Sequence, residues 1–148
     1  MDVLTISLTS PLRVGIYQDS KLIEEYCQVE QTSEMLPIIF DKILQKYKIK
    51  NLFFANGPGS FMAIKISYIF LKTLSISLGV ELYGADGFVF NQNRPIRAMR
   101  KVYFIKKDDK IETKMINEEV EQSFELPRLL DIGIFSKECE PLYVLPAV

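Results

Sequence analysis

Hydrophobic positions along this chain change period twice, and each change marks an element. Residues 3–9 run apolar or alternate and stop at Ser10-Pro11, which predicts a strand followed by a turn. Residues 13–18 and 22–29 alternate on either side of Asp19-Ser20-Lys21, so the chain is expected to open as a three-stranded antiparallel meander. Gly15, inside the second strand, predicts close approach of another backbone. From Ser33 the repeat lengthens: Met35, Leu36, Ile39, Phe40, Ile43, Leu44 and Tyr47 recur at helical spacing, with Asp41, Lys42, Gln45 and Lys46 on the opposite face. Ser33 is the expected N-cap, and Pro37 is tolerable only in the first turn. A strand at 52–55, the run Asn56-Gly57-Pro58-Gly59-Ser60-Phe61, an apolar helix over 61–78, the stop Gly79 and a short strand at 80–83 follow. The order βββαβαβ predicts an α/β arrangement with a mixed sheet.

The remainder is less regular. Residues 91–95 read as a polar loop, 101–107 and 110–116 as a hairpin around Asp108-Asp109, 118–125 as an acidic stretch, and 132–135 as a last apolar strand or turn. No internal repeat is present.

The two helices differ in kind. The 33–47 helix has one apolar stripe, which by default faces a core. The 61–78 helix is apolar nearly all round, and a single cover layer on a small sheet cannot bury every side of it, so part of its surface requires another partner. Its length invites a membrane reading, but Lys65, Lys72 and several serines interrupt it, and it is read as a soluble, largely buried helix.

Composition narrows the chemistry. A chain of 148 residues, 48% hydrophobic and 25% charged, fits one globular domain or one lobe of a larger fold. A net charge of −1 gives no general attraction to nucleic acid. The basic residues Arg94, Arg97, Arg100, Lys101, Lys106 and Lys107 do cluster, but the acidic stretch after them is expected to neutralise part of that charge. With no histidine, Ser-His-Asp and Cys-His pairs, histidine metal ligands and a histidine general base are excluded. Cys27 and Cys139 lie far apart with no metal spacing, which predicts free thiols in a reducing compartment. No basic region precedes an apolar stretch at Met1-Asp2-Val3-Leu4, so no signal peptide and a cytoplasmic location are expected.

The glycine run carries two readings. Gly57 and Gly59 permit positive φ and unshielded N–H groups, Pro58 fixes φ between them, and Ser60 is a good N-cap, so Gly57, Gly59 and Ser60 form a candidate phosphate or nucleotide loop at a helix N-terminus. The alternative is that the glycines only permit a sharp turn and close helix-to-strand packing.

Three blocks together resemble the TsaB (YeaZ) family of tRNA threonylcarbamoyladenosine biosynthesis proteins. They are Val3-Leu4-Thr5-Ile6-Ser7-Leu8-Thr9, Thr32-Ser33-Glu34-Met35-Leu36-Pro37 and Gly57-Pro58-Gly59-Ser60-Phe61-Met62-Ala63-Ile64-Lys65-Ile66-Ser67, in the family's order and spacing. The ending Pro141-Leu142-Tyr143-Val144 is also similar. The resemblance implies an actin-like (ASKHA, RNase H-like) N-terminal lobe with a mixed sheet over residues 1–90, and a truncated second lobe, a hairpin plus tail, over 91–148. It implies a non-catalytic subunit that binds and activates a TsaD-like enzyme for threonylcarbamoyl transfer to adenosine 37 of tRNA. On that basis the interface is expected at Met35, Ile39, Tyr47, Ile64, Tyr68 and Leu71, with a TsaE-like ATPase as a further partner, a homodimer as another arrangement, and tRNA engaged indirectly. No catalytic residue, metal or bound cofactor of its own is expected. The sequence departs from the family pattern at Ser7, where a first-strand Asp is common near the nucleotide's metal and phosphates, at Thr32 in place of His, at Met62-Ala63 in place of Thr-Gly, and at Lys65 in place of Arg. The alternatives are a degenerate ATPase or glycoprotease-like enzyme, and a stand-alone homodimeric binding protein.

Overall fold

A computed structural model describes residues 1–29, 31–99 and 101–142. Strands β1 (Asp2–Ile6), β2 (Leu12–Gln18) and β3 (Lys21–Gln28) form the meander, and β4 (Asn51–Ala55) and β5 (Glu81–Ala85) add parallel strands beside β1. The sheet order is β3-β2-β1-β4-β5. Helix α1 (Thr32–Lys46) links β3 to β4, and α2 (Phe61–Leu78) links β4 to β5. Three further strands, β6 (Ile96–Met99), β7 (Val102–Lys107) and β8 (Lys110–Met115), make a separate antiparallel sheet.

Alternation along the strands gives each face of the large sheet its own core. Val3, Val14, Ile16, Leu52 and Phe54 pack with Leu36, Ile39, Phe40 and Ile43 of α1 and Leu71 of α2. Leu4, Ile6, Tyr17, Phe53 and Ala55 point the other way, against Phe88, Phe90, Ile96, Phe104, Phe124 and Leu130. A sheet covered on both faces reads as nearly continuous apolar strands, which is why β1 and β4 carry few polar residues.

Two hairpin turns bend without glycine. Asp19 and Ser20 take φ of 49° and 68°, and Asp108 and Asp109 take 51° and 63°. Two consecutive positive φ values match the right-handed twist of the flanking strands, and a short polar side chain tolerates them. The chain after β8 forms a strap. Leu22 N–H donates to Arg128 O and Leu130 N–H to Ser20 O at the β3 edge, and Gly84 and Ser136 exchange backbone hydrogen bonds at the β5 edge.

Several expectations change. The first strand ends at Ile6 rather than Thr9, and the last one is Glu81–Ala85 rather than 80–83. Helix α1 begins at Thr32, so Ser33 lies inside it, and its cap, Gln31, makes no side-chain capping bond. Pro37 falls in the second turn, where its nitrogen cannot donate to the Ser33 carbonyl. A Cβ on Gly15 would meet the side chains of Leu22, Tyr17 and Leu126 rather than another backbone. Strand β6 occupies residues without a clear alternation, and 132–135 contains a short 3-10 turn, Ile132–Ile134. The hairpin around Asp108-Asp109 and the Gly79 stop, at φ 69°, are as expected.

Candidate functional site

Helices α1 and α2 lie side by side. One cavity touches the N-terminal ends of both, at Gln31, Thr32, Ser60 and Ala63, and another touches both C-terminal ends, at Leu44, Tyr47 and Leu78. Phe40 meets Phe70 between the helices at 5.5 Å, and the Tyr68 ring stacks over Phe54 of β4 at 6.0 Å. The buried positions of α2 are Ile64, Ser67, Leu71 and Ser75, a single stripe at helical spacing.

That stripe corrects two expectations. Helix α2 is not largely buried: one side packs on the sheet and on α1 while the rest faces outward. Ile39, Ile64 and Leu71, expected at an interface, are at most 1% exposed and belong to the core. Met35, Tyr47 and Tyr68 are half-buried and packed against that core. The outward apolar residues are Met62, Ile69 and Ile76, seven positions apart and 68%, 54% and 72% exposed, with Phe61 and Leu78 at the helix ends and Ile38 and Leu44 on α1. By length and hydropathy α2 would also serve as a membrane span, but its buried stripe is taken up by this chain's own sheet and α1, and Lys65 and Lys72 are exposed along it. Sequence periodicity missed the outward set because a helix that is apolar all round has no preferred face until its neighbours are placed.

The glycine loop is occupied by the protein itself. Gly57, Pro58 and Gly59 are buried. A Cβ on Gly59 would lie 2.8 Å from the Leu8 carbonyl oxygen, and one on Gly57, at φ +127°, 2.8 Å from the Leu142 carbonyl oxygen. Ser60 N–H donates to Leu8 O at 3.1 Å, Gly87 N–H to Gly57 O at 2.9 Å and Leu142 N–H to Asn56 O at 2.7 Å. The expected unshielded N–H cradle is therefore corrected: the glycines admit neighbouring chain segments. Ser60 does cap α2, accepting from Ala63 N–H at 3.5 Å, and it alone of the three is exposed. It opens on a cavity of about 210 Å³ lined also by Ser7, Thr9, Ser10 and Thr32. Ser7, where the resemblance implies a carboxylate in relatives, is buried with its hydroxyl 2.6 Å from that of Ser67 in α2.

Charge elsewhere is partly paired internally. Arg97 donates to Glu119 at 2.8 Å and to the Tyr103 hydroxyl at 3.2 Å, and Lys106 pairs with Asp86 at 2.6 Å. Arg94, Lys101 and Lys107 are exposed, while Arg100 and Tyr143-Val144 lie outside the described residues. Among the described residues no group of three or more Cys, Asp or Glu is placed to hold a metal ion. Burial raises the pKa of the Cys139 thiol, against a smaller lowering by Lys72.

No family model matches the chain. It is 36% identical over 78 residues to a tRNA threonylcarbamoyladenosine biosynthesis protein TsaB of Buchnera aphidicola subsp. Schizaphis graminum, covering 48% of this chain and 37% of that protein. A second TsaB, from Buchnera aphidicola subsp. Acyrthosiphon pisum, is 27% identical over 110 residues, 68% of this chain and 50% of the relative. The matches thus span no more than half the length of these curated relatives. Two solved structures from Pseudomonas aeruginosa, one described as YeaZ and the other as an uncharacterized protein with similarity to peptidase YeaZ, superpose with TM-scores of 0.60 at 12% identity. They cover 84% of this chain and 71% and 70% of theirs, a likeness of fold. The chain thus shares its fold with these YeaZ structures, and part of its sequence is similar to TsaB proteins.

Proposed function

We propose that this protein is a non-catalytic binding subunit in tRNA threonylcarbamoyladenosine biosynthesis, and that it pairs with a TsaD-like enzyme through the outward face of α1 and α2. The observation that carries the proposal is the row Met62, Ile69 and Ile76, three large apolar side chains left in water on one helix face. Large apolar side chains aligned on an exposed helix face support an interaction surface there. Seven-residue spacing suits a helix from the partner lying nearly parallel to α2. The two Buchnera relatives, both tRNA threonylcarbamoyladenosine biosynthesis proteins by name, supply the pathway. Residues 1–90 would form the binding lobe and 91–148 a reduced second region. ATP, tRNA and any TsaE-like subunit would be engaged by the assembled complex. The absence of histidine from the sequence supports the non-catalytic assignment over a protease.

The test is co-expression with the TsaD-like protein of the same genome, followed by size-exclusion chromatography with light scattering and a tRNA threonylcarbamoylation assay. A one-to-one complex that modifies tRNA only when both chains are present is expected. Two separate peaks with the enzyme active alone would overturn the proposal. A homodimer that the enzyme does not displace would assign the face to a second copy of this chain.

A further inference from the structure

Strand β8 is the last strand of the small sheet. Its hairpin with β7 turns through Asp108 and Asp109, so Lys107 and Lys110 close the turn as a hydrogen-bonded pair, and such pairs alternate along an antiparallel ladder. Glu112 and Lys114 therefore bond back to β7, whereas Ile111, Thr113 and Met115 direct their N–H and C=O groups to the outer edge. No residue of β8 is buried, and among the described residues no strand pairs with that edge. Alternation puts Ile111, Thr113 and Met115 on the side of the core, against which Ile111 packs, and Glu112 and Lys114 on the other side. Met115 is 68% exposed. Glu112 and Lys114 are exposed too, and neither takes part in the ion pairs of the described residues.

Lysine on an edge strand ordinarily keeps other strands away. Here the order Ile111-Glu112-Thr113-Lys114-Met115 is its own complement. Turned end for end about Thr113, a second β8 sets its Lys114 opposite Glu112, its Glu112 opposite Lys114, and its Met115 and Ile111 opposite Ile111 and Met115. Opposite charges and apolar side chains facing across strands stabilise a pair, and like charges destabilise it. The neighbouring registers fail on that ground. With Glu112 on the axis, Glu faces Glu and Lys110 faces Lys114; with Lys114 on the axis, Lys faces Lys. We infer that β8 is a pairing edge for a second copy of this chain, joined antiparallel about Thr113 so that the two small sheets become one of six strands. One strand pair is a small contact beside those of stable complexes, so the dimer is weak and depends on concentration. The small sheet packs on the face of the large sheet opposite α1 and α2, so this pairing leaves the outward row of α2 uncovered and does not rest on the assignment of that row.

The experiment is sedimentation equilibrium of the full chain over about 0.01–1 mM, where a monomer–dimer equilibrium is expected. Glu112→Lys or Lys114→Glu alone sets like charges opposite each other at both pairs and should weaken the dimer about tenfold or more. The double variant E112K/K114E exchanges the two charges and should return to within about threefold of wild type, as should an equimolar mixture of the single variants. Urea melts should be unchanged, because both positions are exposed. Amide exchange at Ile111 and Met115 should slow as protein concentration rises. A monomer at every concentration, single variants that associate as wild type, or a folded double variant that does not recover would each overturn the inference. So would self-association that is lost in Ile69→Glu and kept in Glu112→Lys, which would give the dimer to the α2 face.

Discussion

Ile69 and Leu71 are two residues apart on α2, and they separate binding from folding. Ile69 is 54% exposed and Leu71 is 0% exposed. Completely burying a side chain of this size is worth about 1.5–3 kcal/mol, so covering the exposed half of Ile69 contributes about 1 kcal/mol to a complex. Ile69→Ala should then weaken association roughly fivefold and leave folding stability within about 0.5 kcal/mol of wild type. Ile69→Glu adds an unpaired charge to the covered face and should abolish co-purification while the chain stays folded. Leu71→Ala, by contrast, opens a cavity in the core and should cost about 2–5 kcal/mol of folding stability. Urea denaturation reads the stability, and light scattering of mixed samples reads the association. Met62 and Ile76 are 14 residue steps apart, about 21 Å of helix at the usual rise, long enough to lie across an interface of about 800 Å² per partner. Full complex formation by Ile69→Glu, or a Leu71→Ala chain as stable as wild type, would refute the assignment of faces.

Other outcomes follow from the loop and the buried groups. Gly59→Ala would drive a methyl into the Leu8 backbone and should lower stability by about 1–3 kcal/mol in a urea melt; a neutral result would show that the close approach is relaxed at no cost. Because Gly57 and Gly59 are buried against Leu142 and Leu8, phosphate should leave the thermal midpoint unchanged at constant ionic strength, and a saturable rise would reopen the anion reading. Thiol titration should show one fast group, the exposed Cys27, and one slow group, the buried Cys139, whose pKa burial raises, with both reacting quickly in denaturant. The Tyr17 phenol is pushed above its ordinary value by burial first and Glu25 second, so the folded state holds that proton more tightly than the unfolded chain. Its contribution is complete below the unfolded pKa of about 10 and is lost as pH rises beyond it. Tyr17→Phe should lessen the alkaline fall in stability, and an unchanged pH profile would exclude this linkage.

What the sequence by itself determined was the order of elements around the large sheet and the nature of their ends. The period change at Ser33, the αL glycine at position 79 and the serine cap at position 60 act over a few residues, so they are legible without the fold. Residues 96–99 were not legible as a strand, because β6 is made by pairing with β7 rather than by its own alternation. Direction was likewise out of reach. Ile64, Ile69 and Leu71 are equivalent as letters in an apolar helix, and only the positions of β4, β5 and α1 decide that two are core and one is surface. The glycine loop shows the same division: the sequence announces a tight strand-to-helix turn, but only the return of Leu8 and Leu142 over it determines that its space is filled by chain. Local preference depends on neighbours in sequence, whereas burial depends on which distant segments close over a residue, and that is set by the tertiary fold.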